Sequence, residues 1–111
     1  MFKVYNDGSV ELTRGDSAHL AVTITNDVDG SVYEIQPDDT LTLSMKKYVN
    51  DESPCLQKTI KGSNTFHLKP DDTRGLNFGK YKYDVQLTTA EGDVYTVLGP
   101  ETFELLSEVT C

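Results

Sequence analysis

The chain has no tryptophan, and only two cysteines, two methionines and two arginines in 111 residues. Each scarcity excludes something. Cys55 and Cys111 are far apart, with no CxxC spacing and no histidine close by in sequence. Small secreted folds are stapled by several disulfides, and structural zinc sites use cysteine and histidine pairs at short spacing, so neither framework is expected. Basic residues number 10 against 18 acidic ones, a net charge of −8. Nucleic acids are held by neutralising phosphates, and anionic membrane surfaces repel acidic domains, so neither is an expected partner. No apolar run approaches the roughly 20 residues of a membrane span. The opening stretch MFKVYNDGSV lacks the apolar core of a secretory signal, which leads us to expect a product of the cytosol. The 37% hydrophobic share fills one core, while two half-length domains would be marginal; a single domain over residues 1–111 is expected.

What the sequence does have is alternation. Ala18, Leu20, Val22 and Ile24 share one face of the stretch Ser17–Thr25, and His19, Ala21 and Thr23 share the other. Leu41, Leu43 and Met45 alternate with Thr42, Ser44 and Lys46. Over Lys80–Thr89, Tyr81, Tyr83, Val85 and Leu87 alternate with Lys82, Asp84, Gln86 and Thr88. A period of two marks half-buried strands. Shorter strands are expected at Phe2–Tyr5, Val10–Thr13, Val32–Ile35, Leu56–Ile60, Thr65–Leu68, Val94–Leu98 and Thr102–Leu106. Turn chemistry separates them at Asn6-Asp7-Gly8, Asp29-Gly30, Lys61-Gly62-Ser63-Asn64 and Glu91-Gly92-Asp93. Pro54, Pro70 and Pro100 are expected at strand edges, where a missing N–H does little harm. Asn26–Gly30 and Val49–Pro54 read as loops. The only helical signal is Pro70–Leu76, with acids in a first turn and Gly75 at its end, enough for one turn. The expected fold is all-β: an antiparallel, immunoglobulin-like β-sandwich of about 8–10 short strands. Tyr81, Tyr83, Val85 and Leu87 are its expected core spine, opposed by Leu20, Val22, Ile24, Leu41 and Leu43.

Several groupings invite a functional reading, and each has a plainer one. Leu68–Thr73 followed by Gly79–Tyr83 resembles the E–F corner of immunoglobulin-like sandwiches, where a tyrosine hydroxyl bonds back to upstream backbone; Tyr81 takes that architectural role. Arg14-Gly15-Asp16 spells an integrin-binding tripeptide, and reads better as a hairpin turn with Gly15 at positive φ. Asp27-Val28-Asp29-Gly30 looks like part of a calcium loop, but the twelfth position is Asp38 rather than a bidentate Glu, and the flanks are strands. Those acids, with Asp38-Asp39 and Asp71-Asp72, read as solvated loop carboxylates. His19 and His67 fall on strand positions facing solvent. No GxSxG elbow, HExxH helix, P-loop or GxGxxG is present. Catalytic, cofactor-binding and metal-ligating residues are all expected to be none, and so is an enzymatic role; a domain this small and strand-rich rarely encloses a ligand-sized pocket.

Three segments together carry a wider likeness: Leu12-Thr13-Arg14-Gly15-Asp16-Ser17; Leu68–Thr73 with Leu76 and Gly79–Leu87; and Gly92–Val97 with Thr102–Leu105, ending Glu108-Val109-Thr110. In their order and spacing the chain resembles the small β-sandwich proteins encoded in structural-gene regions of phages and prophages of Gram-positive bacteria. It is similar to the N-terminal domain of phage baseplate upper proteins. The resemblance implies a tail- or baseplate-associated virion structural protein, present in the bacterial cytoplasm during assembly and then in the virion. Its implied partners are further copies of itself, other phage structural proteins, or both. The resemblance transfers no catalytic residue. A bacterial immunoglobulin-like adhesion or carbohydrate-binding module is the alternative. Phe2–Tyr5 and Phe103–Leu106 are the expected edge strands, and self-association is expected to strengthen with salt as the net charge is screened.

Overall fold

Alternating valine, leucine, tyrosine and threonine can bury one side of a pleated strand while wetting the other, and that pattern governs the structure. The computed structural model describes residues 2–5, 8–25, 29–48 and 53–107, of which strands take up 55% and helix 5%. Among the described residues, eight strands and one helix follow in order: β1 (Phe2–Val4), β2 (Val10–Thr13), β3 (Ala18–Ala21), β4 (Thr40–Lys46), β5 (Leu56–Lys61), β6 (Thr65–Leu68), α1 (Pro70–Arg74), β7 (Gly79–Thr88) and β8 (Val94–Leu106). Six of them form one curled sheet in the order β1-β2-β8-β7-β4-β5, and β3 pairs with β6 in a second, small sheet.

The core lies between the two. Tyr81, Tyr83, Val85 and Leu87 point inward from β7, as expected. Leu41 and Leu43 are buried too, but beside β7 rather than opposite it: Leu41 pairs with Leu87 and Leu43 with Val85 across the β4–β7 ladder. The opposing layer is Ala18 and Leu20 of β3, Phe66 and Leu68 of β6, and Val22 and Ile24 just beyond β3. Each large apolar side chain removed from water in this way contributes roughly 1.5–3 kcal/mol, and those contributions offset the conformational entropy of ordering the chain.

Four expectations need correction. The large sheet is mixed, because β2 runs parallel to β8, with Val10 opposite Phe103 and Thr13 opposite Leu106. β1 and β2 form an antiparallel hairpin, and the chain then leaves for the small sheet, so the Arg14-Gly15 turn joins two sheets rather than two hairpin strands. Val94–Leu98 and Thr102–Leu106 are a single strand, since a bulge opposite Asp84 absorbs Gly99 and Pro100. Gly99 makes that possible: its φ is +94°, and a Cβ there would lie 2.5 Å from the carbonyl oxygen of Tyr83. Val32–Ile35 is not a strand; its only ladder contact is the bridge between Thr25 and Val32. The turn at Asn6-Asp7, the loop residues 26–28 and 49–52, and residues 108–111 with Cys111 lie outside the described residues.

Candidate functional site

Several residues singled out by sequence are occupied in architecture. The Tyr81 hydroxyl donates to the carbonyl of Asn77 at 2.8 Å, the backward bond expected of it. Burial, and after it the nearby Cys55, push its phenol above the ordinary tyrosine range. Gly15 has φ +87°, and the amide of Asp16 donates to the carbonyl of Thr13, so the tripeptide is a turn. That turn is fastened to α1: the Gly15 amide donates to Thr73 Oγ1 at 2.9 Å, and Arg14 donates to the Leu76 carbonyl while its guanidinium lies 4.2 Å from the centroid of Phe78. An arginine held this way is a poor recognition group.

The paired acids divide their roles, against the expectation that all were solvated. Asp38 and Asp71 are exposed, with loose partners in Lys61 and Arg74. Asp39 is buried and accepts from the Tyr33 hydroxyl at 2.5 Å and from the Gln36 amide at 2.9 Å. Asp72 accepts from the Lys69 amide, fixing the first turn of α1, and pairs with Lys58 at 2.6 Å. Burial would raise the Asp72 carboxyl, but the bonds from Lys58 and Lys69 outweigh it and hold the group below the ordinary aspartate range.

Asp39 has a wider consequence, because its bonds to Tyr33 and Gln36 brace the segment that faces the ends of β7 and β8. Between that segment and the sheet runs an open groove of about 930 Å³, with Ile24, Val32 and Tyr33 on one wall and Leu87, Tyr95 and Val97 on the other. It is an open groove along the surface and not an enclosed pocket. Val32, Tyr33 and Tyr95 are all exposed there, and Val94 is exposed beside them on β8. Its charge is acidic: Glu34 lines it, and Glu91 lies near enough to Tyr33 to help raise the phenol's pKa, after the larger effects of the Asp39 bond and burial.

Beside the groove lies the least protected edge of the large sheet. β8 pairs with β7 along its length, but β2 covers it only from Phe103 to Leu106. Those last residues are therefore interior, not the edge expected of them. Val94–Val97 has β7 on one side and no described strand on the other. Elsewhere edges are guarded: β1 carries Lys3, and β5 carries Lys61 together with Lys58, whose Nζ donates to the His67 carbonyl of β6. Val94–Val97 has no lysine or proline, two of the devices that blunt an edge; the one irregularity is a slip of the ladder at Val97, between Thr96 opposite Gln86 and Leu98 opposite Val85. Sequence reasoning treated this stretch as an ordinary strand; the missed signal is that its four residues are strong strand formers with no charge among them.

His19 and His67 face solvent, as expected. Cys55 is exposed, and its sulfur lies 3.2 Å from the Met45 carbonyl. No helix among the described residues is long and apolar enough to cross a membrane. No protein-family model, curated protein or solved structure matches this chain.

Proposed function

We propose that the chain is a phage or prophage virion structural module, associated with the tail or baseplate, that acts through protein–protein contacts and not as an enzyme. The observation that carries the contact role is the uncovered stretch Val94–Val97 beside the groove walled by Val32, Tyr33 and Tyr95. Exposed main chain with alternate side-chain slots is the physical basis of recognition by strand addition. The virion assignment rests on the sequence resemblance. We further read the fold as immunoglobulin-like. The sheet order β8-β7-β4-β5 facing β3–β6 supports this, matching strands G, F, C and C′ facing B and E, as does the Tyr81 corner.

The occupant we assign to the groove is an extended segment of another protein, with alternating apolar residues and lysine or arginine at its flanks. Charge favours this over a second copy: the chain carries −8, and two copies would bring the acidic mouths around Glu34 and Glu91 together. Light scattering across a salt series tests that choice. This reading expects a monomer throughout, in place of the self-association expected from the sequence; association that strengthens with salt would make a second copy the occupant. A second reading, a bacterial adhesion or carbohydrate-binding module, draws on Tyr33 and Tyr95, whose exposed rings could form a sugar platform. The coding locus separates the two. Neighbouring tail-tape-measure, holin or endolysin genes are expected, and a locus beside surface-export genes would favour the second reading.

A further inference from the structure

Away from the groove, the outer face of the small sheet brings the chain's two histidines together. The Val22 amide donates to the Asn64 carbonyl at 2.8 Å, making Val22–Asn64 a hydrogen-bonded position of the β3–β6 ladder. Such positions alternate along antiparallel strands, so His19 and His67, directly opposite each other, form a non-hydrogen-bonded pair. At these positions facing Cα atoms approach to about 4.5 Å and side chains stand closest. The two rings are stacked, with centroids 4.3 Å apart and planes inclined by 11°.

We propose that His19 and His67 form a bidentate site for a borderline divalent transition-metal ion, of the class of Cu²⁺, Ni²⁺ or Zn²⁺. Neutral imidazole nitrogen suits these ions, whereas Mg²⁺ and Ca²⁺ demand oxygen. Two nitrogens bound to one ion at 2.0–2.1 Å must lie roughly 3 Å apart, a spacing that rings stacked this closely reach by rotating about their side-chain bonds. Both side chains are exposed and turn without repacking the core, because Ala18, Leu20, Phe66 and Leu68 fill the opposite face of the same strands. The backbone beneath them is fixed. Lys58 donates to the His67 carbonyl at 2.7 Å, and its charge is balanced by Asp72. No group of three or more histidine, cysteine, aspartate or glutamate side chains that could hold a metal occurs among the described residues, so solvent fills the remaining positions. Such a site is open rather than structural, and the fold does not depend on it.

The test uses untagged protein in a non-coordinating buffer, titrated with Cu²⁺ and with Zn²⁺ by calorimetry and followed by amide NMR. One ion per chain is expected, with signal changes concentrated on β3 and β6 and none on adding Mg²⁺. His19→Gln and His67→Gln should each weaken binding by roughly a hundredfold, the loss of a ligand that binds intramolecularly, with unchanged circular dichroism. Single variants that bind as tightly as the parent, or a parent that binds neither ion at millimolar metal, would overturn the assignment.

Discussion

Tyr83 donates its hydroxyl hydrogen to the carbonyl oxygen of Gly8 at 2.5 Å, joining positions 75 residues apart in the chain. Its ring meets Phe103 edge to face, with centroids 5.6 Å apart. One side chain thus ties the first hairpin to the centre of the large sheet. Removing the hydroxyl leaves the ring packing and deletes only the tie. Tyr83→Phe should cost about 1 kcal/mol, a typical net value for one hydrogen bond. Phe103→Ala should cost about 3–5 kcal/mol through lost transfer energy and a cavity. Urea unfolding midpoints measure both; equal losses would mean that the hydroxyl contributes as much to this junction as the Phe103 ring, contrary to the account.

Two glycines with nearly the same backbone angle should respond differently to a methyl group. Gly92 has φ +92° and no atom within 4 Å of a built Cβ, so Gly92→Ala carries only the left-handed backbone cost, about 1–2 kcal/mol. Gly99 has φ +94° and would place its Cβ 2.5 Å from the Tyr83 carbonyl oxygen, against the backbone of the neighbouring strand. Gly99→Ala should therefore cost more than Gly92→Ala, by about 1–3 kcal/mol of overpacking. Equal midpoints for the two variants would show that the bulge opposite Asp84 is absent in solution.

Acid should weaken the β5–β6–α1 junction through Asp72. Its folded-state value lies below the ordinary aspartate value of 3.8, because Lys58 and the Lys69 amide stabilise the carboxylate. A lowered folded value means that the stabilisation is complete above the unfolded value and is lost as pH falls through the folded one. Asp72→Asn removes that contribution at neutral pH. The stability gap between parent and variant should therefore be widest near neutrality and close as pH drops from about 5 to about 2. Thermal melts across that window give the gap directly, and a gap independent of pH would contradict the ion pair.

The strands were legible wherever burial followed the pleat. β7 runs Gly79–Thr88 where alternation pointed to Lys80–Thr89, and β2 and β6 match their expected limits, because inward apolar and outward polar residues fix the face of each strand. What stayed hidden depended on contacts distant in sequence. Nothing local marks β2 as parallel to β8, since that pairing is set by how the first hairpin is laid across the sheet. Pro100 looked like a strand boundary because the bulge that accommodates it is defined by Asp84 on the partner strand. Asp39 read as one more solvated acid, as its burial depends on Tyr33 folding back over it. The groove was invisible for the same reason: its walls come from residues 23–25 and 31–36 on one side and from 87–97 on the other, and no pattern within either segment announces the other.

The central claim, that the open edge at Val94–Val97 and the adjoining groove receive an extended basic segment, is tested most directly by NMR titration with a short peptide of alternating valine and threonine flanked by lysine pairs. The account predicts that amide signals of Val94–Val97 and of the facing Ile24, Val32 and Tyr33 move together, that affinity falls as salt is added, and that Tyr95→Lys weakens binding by placing a like charge on the edge. The same peptide flanked by glutamates should bind more weakly. No shifts at these residues, or equal binding by the parent and Tyr95→Lys, would contradict it.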